Sequence, residues 1–426
     1  MPEASTSNSK EQFKTLGLAA GLGILGAIGA SAFLWLTEEG QRALFHTLPA
    51  NLGLEGTPSW WVVLVLLVGA VGVGAAQLLP GSTGPSPLGG FHFSTPLNAV
   101  PSVLLAGLAT LVAGYTLGPE APLIIVGTSI GALATRRASP EVRAAAMLLG
   151  GVAGISAVFG NPFITGFMLL EFMAMGTAPV VLLLPVLVTL ATSDLIQVGI
   201  FSFHGLGIHS LGVHGVPAYH HLEPGALVVG AVVALAAGLV AVGARRCAEL
   251  VEHLSSSQRL LGLGLAATTA IAAVFVDHGH GHLPLDQVLF SGSEGIEGLL
   301  SQGSLAILGL LLVTKLVAFS AALGGGMRGG PIFPAIFLGV TIGVIGHVLV
   351  PQVSVTAVVV AGTAASAAAM LKLPATAAML GAVLFAGAGA AVAPLAIVGA
   401  VVGMVVRLIV DQRWPSTSDE LEGVSS

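Results

Sequence analysis

The chain has 426 residues, of which 55% are hydrophobic and only 8% charged, with a formal net charge of −6. Soluble domains carry about 25% charged residues, so this composition excludes a soluble globular protein, and it holds no nucleic-acid signature. The missing polar alternation argues against a β-barrel, and a single cysteine, Cys247, allows no internal disulfide and supports no thiolate metal centre.

Residues 1–12 are polar, carry no cleavable signal pattern and read as a cytoplasmic tail. Apolar runs near the ~20 residues needed to cross a bilayer follow at 14–36, 59–79, 225–244, 303–325, 333–350 and 389–409. Between them lie segments too short to cross alone. Residues 104–116 and 122–134 flank a Gly-Pro break, and 316–324 and 334–348 flank a second one. Segments 162–172 and 374–385 each start abruptly on a proline. Lys10, Lys14, Arg136, Arg137, Arg143, Arg245, Arg246 and Arg259 favour the cytoplasm, whereas loops 38–58 and 277–302 hold few cations and prefer the outside. The tail 413–426 is acidic, serine-rich and expected to be disordered, with no soluble regulatory domain beyond it.

The two Gly-Pro breaks are copies. Gly118-Pro119-Glu120-Ala121-Pro122, running on to Gly127 and Gly131, matches Gly330-Pro331-Ile332-Phe333-Pro334, running on to Gly339 and Gly343, at an offset of 212 residues. The same offset pairs Leu111 with Leu323, Gly114 with Gly326, Gly150 with Gly362 and Pro162 with Pro374. We therefore read two membrane repeats, 13–224 and 225–412. The duplication is in the residues; its inversion is inferred, because broken helices at membrane depth are tolerated where they line a site between inverted repeats. The fold class expected is an all-α polytopic membrane protein, an inverted repeat of broken, tilted helices.

Proline at a first helical position sacrifices no hydrogen bond. Each break therefore marks a helix start whose free N–H groups and positive dipole end suit an anion. Glu120 stands between Pro119 and Pro122 at such a start. Ionisable residues inside a membrane are expensive and functional by default. The helix dipole favours the glutamate anion and desolvation favours its neutral form, so the residue suits a proton-linked gate. The bland alternative is a carboxylate that caps its own helix.

These motifs together resemble the CLC chloride channel and transporter family. Gly118–Pro122 resembles its G-[KR]-E-G-P motif, Gly329-Gly330-Pro331-Ile332-Phe333-Pro334 its G-G-x-F-x-P motif, and Gly81-Ser82-Thr83-Gly84-Pro85 its G-S-G-I-P motif. Phe159-Gly160-Asn161-Pro162, running to Glu171, resembles the family's proline-started helix that ends in two acids. The four matches occur in family order over roughly residues 14–410, and none is complete, which points to a divergent bacterial branch without CBS domains. The resemblance implies a homodimer with one anion pathway per subunit, in the bacterial inner membrane. It implies Glu120 as the gating glutamate, the Ser82 hydroxyl on the central anion, and backbone N–H groups of Ala121, Ile332 and Phe333 as further anion ligands. Voltage-gated chloride transport is the implied function, with no enzymatic activity, no catalytic residue, no cofactor and no metal. A proton-coupled chloride or fluoride antiporter is the alternative, and a cation-coupled solute carrier a more distant one.

The departures from the family pattern carry information. Pro119 and Pro331 have no N–H to offer. Only Tyr115 and Tyr219 exist, so the family's inner-gate tyrosine near the C-terminus is absent. The internal proton-transfer glutamate would align with Phe172, next to Glu171. Arg328 and Lys372 lie close to the second-half helix starts, where a cation could raise local anion concentration, or simply snorkel or pair. Lys315 and Asp194 read as structural. His204, His209, His214, His220 and His221 in one loop, and His278, His280 and His282 in another, lack a fixed ligand spacing and read as solvated. Trp35, Trp60 and Trp61 read as interfacial anchors.

Overall fold

The computed structural model describes residues 3–81, 83–200, 203–206, 212–256 and 285–415. Ser82, His209, Arg259, His278, His280 and His282 lie outside them, as does most of the tail. Thirteen described helices build the molecule: α1 Glu3–Arg42, α2 Ser59–Ala76, α3 Val100–Val112, α4 Glu120–Ala134, α5 Pro140–Phe159, α6 Pro162–Ala174, α7 Leu183–Val198, α8 Pro224–Ser256, α9 Leu305–Gly324, α10 Ile332–Leu349, α11 Val355–Leu371, α12 Pro374–Leu384 and α13 Val392–Arg413. Seven shorter helical pieces are described between them.

Eight described segments are long and apolar enough to cross a membrane. Two of them, Pro140–Phe159 and Val180–Val198, are absent from the apolar runs read in the sequence. Pro140–Phe159 begins with Pro-Glu-Val-Arg, which dilutes its hydropathy, although 78% of its apolar window is buried inside the protein. The segment 316–324, expected as a separate short helix, is instead the end of the 20-residue α9. No glycine or proline interrupts residues 310–323, so nothing stops the helix there. The first apolar run also extends much further than 14–36, because α1 continues to Arg42.

The 212-residue offset runs through the architecture. It carries α4 onto α10, α5 onto α11, α6 onto α12 and α7 onto α13. The packing repeats as well. A Cβ at Gly127 would lie 1.9 Å from the Gly150 carbonyl oxygen, and one at Gly339 would lie 2.5 Å from that of Gly362. Both pairs let backbones touch, which is how membrane helices associate without a hydrophobic drive between them.

At the centre, equivalent residues of the two repeats meet. The Gly118 N–H donates to the Gly330 carbonyl at 2.8 Å and the Gly330 N–H donates to the Gly118 carbonyl at 2.6 Å. This is an isolated antiparallel bridge between symmetry-related positions. An antiparallel bridge between copies of one residue relates the two flanking chains by a local two-fold axis, the relation that an inverted repeat has. Each bond also satisfies a backbone group at a depth where the bilayer offers no water.

Candidate functional site

The site begins with the way α10 starts. Pro331 precedes it with φ −91° and ψ −4°, and no side chain of its own caps the helix. The first N–H groups of a helix have no internal acceptor. Here Ile332 N–H and Phe333 N–H both donate to Glu120 Oε1, at 3.1 and 3.2 Å. Glu120 is the first residue of α4, follows Pro119 and is fully buried. A carboxylate from the first repeat thus occupies the anion-favouring end of a helix in the second.

Glycine makes room for it. A Cβ on Gly118 would lie 2.1 Å from Glu120 Oε2, and one on Gly330 would lie 2.0 Å from the same atom. Neither glycine has a left-handed backbone. Their small size is needed for the carboxylate, not for the turn.

Two cavities flank this carboxylate. A large one, about 1160 Å³, is lined by Pro119, Val158, Phe333 and Ile336, with Glu38, Arg42, His214 and Glu297 among its polar residues. A small one, about 50 Å³, is lined by Thr83, Ala121, Pro122, Arg328 and Gly329. Pro119 therefore faces one space and Ala121 the other, with Glu120 buried between. Gln41 Nε2 donates to the Leu111 carbonyl at the large-cavity end of α1. Arg245 donates to the Leu88 carbonyl beside the small cavity.

The other predicted residues fall as follows. Pro122 packs at Gly107, where a Cβ would meet its ring at 2.9 Å, and Pro334 is buried in α10. Ser82 lies outside the described residues; the turn at Thr83 is anchored by its N–H, which donates to Ser102 Oγ at 2.8 Å while that hydroxyl donates to the Ala76 carbonyl. Arg328 reaches the same turn: its Nε donates to Thr83 Oγ1 at 2.9 Å and a terminal nitrogen to the Pro85 carbonyl at 3.3 Å. Lys372 forms an ion pair with Asp411 at 3.1 Å.

Glu171 is drawn elsewhere than to the breaks. Its Oε1 accepts from Ala375 N–H and its Oε2 from Thr376 N–H, both at 2.7 Å, and Oε2 also accepts from the Thr376 hydroxyl. It caps α12, the helix that starts at Pro374. Lys315 is fully buried. Its ammonium donates to the Leu289 and Phe290 carbonyls at 2.9 and 3.1 Å and sits 4.7 Å from the Phe337 ring centroid. Reasoning from the residues missed Thr110, whose hydroxyl accepts from Arg328 N–H at 2.9 Å. A threonine inside an apolar helix gives no local sign of such a partner.

The family model described as voltage gated chloride channel matches residues 56–407. A relative in Escherichia fergusonii, provisionally named ion-transport protein YfeO, is 27% identical over 348 residues, covering 79% of each chain. Its namesake in Salmonella choleraesuis is 28% identical over 355 residues, covering 79% of this chain and 80% of that one. Among solved structures, a slow cyanobacterial Cl−/H+ antiporter superposes with a TM-score of 0.76 at 18% identity, covering 96% of both chains. A CLC-type fluoride/proton antiporter gives 0.71 at 17% identity, over 93% of this chain and 96% of that one.

Proposed function

The chain belongs to the voltage gated chloride channel (CLC) family, and from that premise we propose that it moves chloride through a pathway closed by Glu120. The family moves ions and performs no enzymatic reaction, and the eight apolar segments make the chain a multi-pass membrane protein. The observation that carries the proposal is the double bond from Ile332 and Phe333 N–H to Glu120 Oε1. In this reading the carboxylate takes the place of an anion between the two cavities. Once protonated it loses the charge that holds it to the helix end and swings away, and a chloride takes the same N–H groups. Ala121 N–H and the Ser82 hydroxyl are the further ligands. Weak binding at successive positions lets the ion leave again. We take the protein to act as a homodimer in the inner membrane, one pathway per subunit.

The test is chloride efflux from liposomes. The parent is expected to move chloride faster as pH falls, because protonation releases the gate. Glu120→Gln, which cannot ionise, is expected to abolish that dependence while the protein stays folded, and Ser82→Ala to slow flux. An unchanged pH dependence in Glu120→Gln would remove Glu120 from the gate.

The second reading is a proton-coupled antiporter, the activity named for two structural neighbours. Against it stands Glu171, the acid nearest the expected internal proton site, whose carboxylate is engaged by α12. Reversal potentials of the reconstituted protein under a pH gradient separate the two. A channel follows the chloride gradient alone, and an antiporter shifts with pH.

A further inference from the structure

We infer that Thr110 is a positioning residue of the gate: its buried hydroxyl fixes the loop ahead of α10 and so aims the two N–H groups that hold Glu120. The inference rests on the gating reading of Glu120 and extends it to a side chain of α3 whose own hydrogen bonds go elsewhere than to the carboxylate.

The loop needs such an anchor. Residues 325–331 join α9 to α10 and include Gly326, Gly329 and Gly330. Gly326 holds a left-handed φ of 96°. Glycine loses more conformational freedom on folding than any other residue, and Gly329 and Gly330 carry no side chain that could wedge them in place. Hydrogen bonds therefore set the loop's position. Arg328, Gly330 and Ile332, each two residues after the last, all give their backbone N–H to the first repeat. The acceptors are Thr110 Oγ1 at 2.9 Å, the Gly118 carbonyl at 2.6 Å and Glu120 Oε1 at 3.1 Å. The Thr110 bond is the first of these rungs, and it stands between Gly326 and the Gly329-Gly330 pair.

Thr110 is fully buried, and its hydroxyl works in both directions. It donates to the Ala106 carbonyl one turn back, at 2.8 Å, and accepts from Arg328 N–H. A hydroxyl has one proton and two lone pairs, so donating to Ala106 leaves its acceptor side for the loop. The bond to Ala106 is ordinary for a threonine inside a helix. The bond to a backbone N–H 218 residues away is not. Two turns earlier in α3, Ser102 does the same for another loop, accepting from Thr83 N–H and donating to the Ala76 carbonyl. Arg328 Nε donates to Thr83 Oγ1 and ties the two loops together. The 212-residue offset sets Ala322 opposite Thr110, so the second repeat has no hydroxyl at that place. Thr110 and Glu120 thus sit in one repeat, and the N–H groups they receive sit in the other.

Without the hydroxyl, a buried N–H loses its acceptor and the loop is free to turn at its glycines. Ile332 and Phe333 N–H then hold the carboxylate less firmly, and the gate opens at higher pH.

The experiment compares the full-length parent with Thr110→Val, which keeps the branched shape and loses the hydroxyl, and Thr110→Ser, which keeps the hydroxyl. Chloride efflux from liposomes is followed against pH, and amide hydrogen exchange over residues 326–335 is followed by mass spectrometry. In Thr110→Val the pH midpoint of efflux is expected to rise by up to about one unit, and exchange in that stretch to quicken by about tenfold, the worth of one net hydrogen bond. Thr110→Ser is expected to match the parent in both. A threonine that only packs α3 would lower the melting temperature of Thr110→Val and leave midpoint and exchange unmoved, and that result overturns the inference. So does a Thr110→Ser that shifts as far as Thr110→Val. Should Thr110→Val fail to fold, Thr110→Ala removes the same acceptor without an added methyl and decides instead. Should the parent's efflux not depend on pH, or should Glu120→Gln keep that dependence, the gating reading falls. The exchange comparison then decides the role of Thr110 alone: faster exchange in Thr110→Val beside parent-like exchange in Thr110→Ser upholds it, and equal exchange in all three overturns it.

Discussion

A methyl group on Gly118 should open the pathway without touching the glutamate's chemistry. The three atoms nearest a Cβ there are all in the Glu120 carboxyl group: Oε2 at 2.1 Å, Cδ at 2.6 Å and Oε1 at 2.7 Å. The backbone at Gly118 accepts alanine, because its φ lies outside the left-handed region. The methyl therefore displaces the flexible end of one side chain and leaves the bridge to Gly330 intact. The displaced carboxylate loses its bonds to Ile332 and Phe333 N–H. Hydrogen bonds to a charged group contribute about 1.5–3 kcal/mol each. Even the lower sum, about 3 kcal/mol, is a factor of roughly 150 in the ratio of closed to open gate. Gly118→Ala should thus move chloride at high pH as fast as the parent does at low pH, measured as efflux from chloride-loaded liposomes. Adding Gly118→Ala to Glu120→Ala should change little, because the clash has lost its target. Parent-like pH dependence in folded Gly118→Ala, or additive effects in the double variant, would refute the argument that this carboxylate closes the path from this position.

Three further outcomes follow from the geometry. Glu171→Ala should lower stability by about 0.5–2 kcal/mol, the worth of a helix cap, and leave the pH dependence of flux intact; thermal unfolding in detergent beside the liposome assay checks both. Lys315→Met strips the buried Leu289 and Phe290 carbonyls of their donor and should cost about 1–3 kcal/mol per carbonyl left unpaired, seen as a lower melting temperature. Lys372 holds a left-handed φ of 59° where its counterpart in the first repeat is Gly160 at 53°. Lys372→Gly relieves about 1 kcal/mol of backbone strain and gives up a partly exposed ion pair worth about 0–1 kcal/mol. The net change should stay within about 1 kcal/mol, and a loss above about 2 kcal/mol in denaturation would contradict it.

Membrane crossing, duplication and the two helix starts were legible in the residues. Lipid permits few alternatives: a Gly-Pro pair inside an apolar run must end a helix, and a lone glutamate there must serve a purpose. The offset from Gly118 to Gly330 could be counted along the chain, while the family resemblance, not the spacing, singled out Ile332 and Phe333 beside Glu120. Helix extents were less legible: the polar start of α5 diluted its signal, whereas the run read at 303–325 did mark α9.

What only the tertiary structure decided is which groups touch. That Gly118 pairs with its own counterpart, that Glu120 reaches across to α10, that Thr110 and Thr83 hold Arg328, and that Glu171 caps α12 are contacts between residues 204 to 245 positions apart. Such pairings leave no periodic trace in either partner. Helix formation depends on neighbours three and four residues away and writes itself into local pattern. A bond between repeats depends on how the two halves dock, and no single segment determines that.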